Sequence, residues 1–238
     1  MKSMKKLVLA GLVLLASVMV LVGCDTNAGD NPSKKILEID GSLGGKSVAT
    51  EEDINALVEQ LKAYVDNGIT TIIVSGSEPA LIEIDSSLTI TAIGEAIYRL
   101  PGSVYYDENN PYNGKIDLIL QDVTEIVDRE FYNAWALNSI TLPKVIKIGD
   151  EAFNGTWFLK TITFGSVLTE VNEADVMFAY VGNEVGGCDL ILNCGQMNES
   201  SVPTPDLTAN TWGFMFENDD FKSITLTHTG ECDECKAN

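Results

Sequence analysis

Apolar residues between Leu118 and Val167 return at a constant offset of 22 positions. Ile140, Leu142, Val145 and Leu159 fall 22 residues after Leu118, Leu120, Val123 and Leu137, and Ile148 and Phe153 repeat the step from Ile126 and Phe131. Ile162, Phe164 and Val167 carry it onward, before one inserted residue moves the next apolar position to Val171. Few folds tolerate such strict recurrence. A period in the low twenties predicts a solenoid, because one coil cannot hide its apolar side alone and stacked copies bury a continuous core.

Within each copy, Ile140 and Leu142 are two apart, so on a short strand they share one face while Ser139, Thr141 and Pro143 take the other. Stacked strands then make a parallel sheet, with the Val145, Ile148, Ala152, Phe153 and Leu159 positions closing the core behind it. The unit reads x-Ile-x-Leu-Pro-x-Val-x-x-Ile-Gly-x-x-Ala-Phe-x-x-x-x-x-Leu. This wording resembles the BspA-like leucine-rich repeats of bacterial surface antigens, closely over residues 117 to about 178 and more loosely to about 227. The resemblance implies an α/β solenoid with a parallel β-sheet on its concave face, and a surface-displayed binding or adhesion role.

The chain opens with Lys2, Lys5 and Lys6, then an apolar run from Leu7 to Val22, which predicts an export signal rather than a spanning helix. Leu21-Val-Gly-Cys24 resembles a lipobox, so Cys24 is the expected lipidation site and the membrane partner is reached through its acyl chains. Residues 25 to 33, with nothing apolar larger than alanine, read as a tether. The divisions expected are a signal peptide at 1–23, a tether at 24–34, an N-terminal α/β cap at 35–115, the solenoid at 116–228 and a Cys-containing tail at 229–238. Asp25 resembles an inner-membrane retention signal of some Gram-negative bacteria, whereas surface antigens of this kind imply the outer membrane or cell surface, so the leaflet stays open.

Loss of residues 1–23 removes three of 15 basic residues and leaves 12 against 35 acidic ones, a formal charge of −23. Such a balance excludes nucleic acid, whose phosphates are held by basic side chains, and disfavours adsorption to anionic lipid. It suits a solvated, exposed protein or one with basic partners.

Lys35 to Ile39 predicts a first strand. Thr50 followed by Asp53 is a capping pair, and Ile54, Leu57, Val58, Leu61, Tyr64 and Val65 recur at helical spacing up to Gly68, giving a helix over 51–66. Ile69 to Val74 predicts a strand, Thr89 to about Leu100 a second helix, and Ile116 to Leu120 the strand that starts the repeats. Between the last two lies a loop whose Tyr105, Tyr106 and Tyr112 could stack on a sugar or a protein partner, or lie over the cap as part of a turn-rich connector.

Asp189-Leu-Ile-Leu192 repeats Asp117-Leu-Ile-Leu120, and Phe221 to Leu226 matches Leu137 to Leu142, so a fourth and a fifth rung are expected there. Between them, Pro203 and Pro205 mark a long loop in which Trp212, Phe214 and Phe216 would refill the core. Cys188, Cys194, Cys232 and Cys235 in an exported chain suggest disulfides or free thiols, with zinc (joined by His228) or redox chemistry as alternatives.

His228 is the sole histidine, and no phosphate loop, zinc-protease or dinucleotide motif occurs, so neither an enzyme nor a cofactor is expected. The favoured reading is a lipid-anchored bacterial envelope protein that binds a host or bacterial surface protein through Ile119, Ser139, Thr141, Thr163, Ser223 and Thr225. A periplasmic scaffolding lipoprotein and a hydrolase with unidentified carboxylates are the alternatives.

Overall fold

Alternate residues of short parallel strands point into one core, and that alternation builds the molecule. A computed structural model describes residues 36–101, 107–166, 168–171, 177–193 and 221–227. The main sheet contains β1 (Ile36–Asp40), β2 (Thr71–Ser75), β5 (Ile116–Leu120), β7 (Leu137–Leu142), β9 (Thr161–Phe164), β11 (Cys188–Asn193) and β12 (Phe221–Thr227), in that spatial order and parallel throughout. Leu118 sits opposite Ile140 and Ile140 opposite Ile162, so the 22-residue offset is the strand register itself. Beyond the regular copies the same inward row runs through Leu37 and Ile72 on one side and Leu190 on the other, and Ile224 is the register partner of Leu190.

A second, three-stranded parallel sheet, β6 (Glu125–Ile126), β8 (Lys147–Ile148) and β10 (Glu170–Val171), stacks the short second segment of each coil. Behind it, Phe131, Phe153 and Phe178 form a ladder with ring centroids 5.7 and 5.6 Å apart, and Phe221 meets Phe178 edge-on at 5.2 Å. All three ladder rings have no solvent exposure. The outside of the coils repeats as well: Lys144 pairs with Asp122 at 2.7 Å, Lys147 with Glu125 at 2.9 Å, and Arg129 with Glu151. Such exposed pairs add little stability, so the apolar rows hold the register and the charges follow it.

The turns recur too. Arg129 and Glu151 adopt the same left-handed backbone, with φ of 56° and 52°. Gly149 shows why its repeat position must stay small, since a Cβ there would lie 2.5 Å from the backbone nitrogen of Asp128 and 2.7 Å from the carbonyl carbon of Val127. Gly149→Ala must push two coils apart and should cost about 1–3 kcal/mol in a urea melt; an unchanged midpoint would show that the coils are not clamped at this point.

The expected strand at 35–39 and helix at 51–66 are present as β1 and α1 (Glu51–Asp66). Thr50 and Asp53 form a reciprocal capping box. Asp53 is drawn down to about 2, first by the Lys46 ammonium and then by the Thr50 N–H, which opposes the smaller effect of burial. Ile54, Leu57, Val58 and Leu61 bury their stripe in the same core cluster as Leu37 and Ile72. The N-terminal region therefore shares one sheet and one core with the repeats.

The helix expected from Thr89 is shorter. Leu88–Thr91 is instead β4, antiparallel to β3 (Leu81–Asp85), and α2 runs only over Ala92–Arg99. Thr89, Ile90 and Thr91 are β-branched, which suits a strand, and Ile82 of β3 stands opposite Ile90. Thr91 then caps α2, its hydroxyl oxygen accepting from the Gly94 N–H at 3.1 Å.

Glu130 joins α2 to the first regular coil. Its carboxylate accepts from the Thr91 N–H at 3.0 Å and from the Thr91 hydroxyl, while its side chain is 2 % exposed. Burial pushes its pKa up from 4.5 to about 7, and the two Thr91 hydrogen bonds oppose that rise without cancelling it.

Candidate functional site

On the outward side of the sheet the strand register aligns two rows. One runs Glu38, Ile73, Ile119, Thr141, Thr163, Ile191 and Thr225 across all seven strands. The other runs Ile36, Thr71, Asp117, Ser139, Thr161, Asp189 and Ser223. All six outward residues expected from the sequence thus share one face, with Ile119, Thr141, Thr163 and Thr225 in the first row and Ser139 and Ser223 in the second. Ile119, Ser139, Thr141 and Thr163 are half-buried, and Ser223 and Thr225 are exposed.

Two rungs repeat the same polar pair. The Ser139 hydroxyl donates to Asp117 Oδ1 at 2.8 Å, and the Ser223 hydroxyl to Asp189 Oδ1 at 2.6 Å. The Asn138 amide also donates to Asp117 Oδ1, at 2.7 Å. These serines orient acceptors, so the groups offered outward from the second row are carboxylates. From Ile73 to Thr225 the first row offers methyl and hydroxyl groups, a surface that can be covered without stranding a buried charge. Ile73 and Ile191 also stand in that row; Ile191 corresponds to Ile119 in the repeated Asp-Leu-Ile-Leu, while Ile73 is assigned by the strand register alone.

Tyr112 is half-buried against the core, and its hydroxyl donates to the Asp66 carboxylate at 3.3 Å. Burial first and then the Asp66 charge raise its pKa. Its hydroxyl thus sits at the end of α1, while Tyr105 and Tyr106 lie outside the described residues. Cys24, Cys194, Cys232, Cys235 and His228 lie outside them too, as do Trp212, Phe214 and Phe216.

Cys188 is described, and its thiol is free and fully buried at the start of β11. Burial, helped by the neighbouring Asp189, pushes the thiol up to about 12. A protonated, covered thiol is neither a nucleophile nor a ready metal ligand. Iodoacetamide should leave Cys188 unmodified in native protein and label it only after unfolding, read by peptide mass mapping; labelling under native conditions would contradict its burial. Among the described residues no group of three histidines, cysteines or acids could hold a metal ion.

The parallel rungs, the Phe ladder and the 22-residue register coincide with what a family comparison finds. Residues 115–180 match the family model described as the BspA type leucine rich repeat region, in six copies. Residues 115–180 are a BspA-type leucine-rich repeat region. Comparisons with curated proteins and with solved structures give no match. BspA-type repeats are typically surface-associated, non-enzymatic modules for protein interaction or adhesion. Among the described residues no helix is long and apolar enough to cross a membrane.

Proposed function

We propose that this chain is a lipid-anchored protein of the bacterial cell envelope, tethered through Cys24, whose repeat solenoid binds a host or bacterial surface protein with the outward face of its main sheet. The observation that supports this most is the unbroken first row, Ile73, Ile119, Thr141, Thr163, Ile191 and Thr225, spanning six adjacent strands. Neutral β-branched side chains in register make a continuous strip on which a partner can lie, and Asp117 and Asp189 beside it supply acceptors for that partner's donors.

Two arginines in mid-strip test the assignment. Thr141→Arg with Thr163→Arg should abolish capture of the surface proteins that the wild type retains, with an unchanged circular dichroism melt. Full capture by the folded double variant would remove this face as the site. Mass spectrometry of the N-terminal peptide from membranes tests the anchor, because an unmodified Cys24 would end the lipoprotein reading.

A further inference from the structure

An open groove of about 350 Å3 lies where the β3–β4 hairpin, α2 and the turns after β6 and β8 converge. Its aliphatic lining is Ile84, Leu88 and Ile90 from the hairpin, joined by Tyr98 of α2 and Tyr132 of the first turn. Ile84, Tyr98 and Tyr132 are 42, 37 and 39 % exposed, so apolar side chains of three separate elements meet water at one place. Such a concavity is large enough for one long side chain with part of its backbone.

The charges around it are unevenly matched. Arg129 is paired with Glu151, and Arg99 with both Glu95 and Glu51. Glu130 also lines the groove, yet among the described residues its oxygens meet only the neutral N–H and O–H of Thr91. Both nearby arginines are thus engaged elsewhere, and among the described residues the most buried carboxylate of the groove has no counter-charge. A cation brought to it would stabilise its ionised form in a low-dielectric setting, and the tyrosine ring faces would favour the same charge. A neutral or anionic guest would do neither. Thr91 takes one acceptor site on each Glu130 oxygen and the residue is 2 % exposed, so a planar guanidinium fork would have to align with both remaining sites at once, whereas an ammonium acts as a point charge and needs only one. The chain's formal charge of −20 draws basic partners toward the whole surface.

We propose that this groove accepts a lysine side chain of a partner polypeptide, its methylenes against Ile84, Leu88 and Ile90 and its ammonium at Glu130 beside Tyr98 and Tyr132. The inference rests on the reading of the chain as a protein-binding module and adds a second, chemically selective contact away from the outward face of the sheet.

The test is a titration of the isotope-labelled full chain with the peptide acetyl-Leu-Lys-Leu-amide, followed by amide chemical shifts, against the same peptide carrying norleucine for lysine. Saturable shifts confined to the hairpin, α2 and residues 129–132 are expected, with the norleucine peptide about tenfold weaker. Glu130→Gln should weaken the lysine peptide about tenfold and leave the norleucine peptide unchanged. Tyr132→Ala, at a partly exposed position, should weaken the lysine peptide about threefold and serves if the Gln variant does not fold. Equal affinity for the two peptides, an undiminished affinity in the folded variants, shifts elsewhere or no shifts would each overturn the proposal. The Thr141→Arg, Thr163→Arg double variant should bind the lysine peptide as the wild type does; loss there would overturn the groove as the site. If instead that variant keeps its protein partners while the peptide behaves as expected, the outward-face reading fails and the groove stands.

Discussion

Phe153→Ala should lower the stability of the fold by about 3–5 kcal/mol, the largest loss expected from any single truncation of the phenylalanine ladder. The ring has no solvent exposure and stacks between Phe131 at 5.7 Å and Phe178 at 5.6 Å. Truncation therefore opens a cavity in the middle coil and removes both stacking contacts, each worth about 0.5–1.5 kcal/mol beyond area burial. Backbone bonds between coils, Phe131 N–H to Ala152 C=O at 2.9 Å and Phe153 N–H to Met177 C=O at 3.0 Å, limit how far the walls can collapse into the space. In a solenoid each coil touches only its neighbours, so the damage weakens both of this coil's interfaces. Urea melts of wild type and variant would measure it. A shift of under about 1 kcal/mol would mean that the ladder is not the spine of the core.

Glu130 should make the protein less stable as pH rises from 4.5 to 7. Folding shifts this carboxyl from 4.5 to about 7, so the folded chain holds the proton more tightly than the unfolded one. Below 4.5 both states are protonated there, and nothing is lost. Between the two values the unfolded state releases its proton first, and stability falls with each pH step; above about 7 the loss is complete and level. The full change is on the order of 3 kcal/mol. Asp53, lowered to about 2, acts in the opposite sense and in a separate window below its usual 3.8, so the two effects can be told apart. Nearby Glu95 and Glu151 are paired with Arg99 and Arg129 rather than with Glu130. Glu130→Gln keeps the shape and removes the titration. The difference between its stability and that of the wild type should therefore grow from pH 4.5 to 7. A constant difference across that range would show that the carboxyl is not buried in solution.

Much of the architecture was legible in the residues. Leu118, Ile140 and Ile162 already stood 22 apart, and they are the register partners observed. Thr50 and Asp53 announced the start of α1 because capping is a local interaction between residues three apart. The error at Thr89 is equally local in origin. Ile90, Ile93 and Ile97 are compatible with a helical stripe, but Leu81 to Asp85 offers Leu88 to Thr91 a strand partner, and pairing overrode the pattern.

The candidate binding face was legible where the period held, and where the wording of the unit returned, as at Ser223 and Thr225. Ile119, Thr141 and Thr163 follow at 22, but Ile73 precedes Ile119 by 46 positions and Ile191 follows Thr163 by 28, differences read from their register partners. Insertions of those lengths hide a row that the sheet nevertheless keeps straight.

What the sequence alone determined is the repeat: which residues face inward, where each rung turns, and that neighbouring coils must stack, because a fixed apolar period has only one way to be buried. The tertiary structure decided what periodicity cannot carry. It drew the N-terminal strands into the same sheet and placed Thr91 over Glu130. It also gathered Ile84, Tyr98, Tyr132 and Glu151 around one groove. Those residues lie far apart in the chain and share no spacing, so only the packing of a hairpin and a helix against the first coils brings their chemistry together.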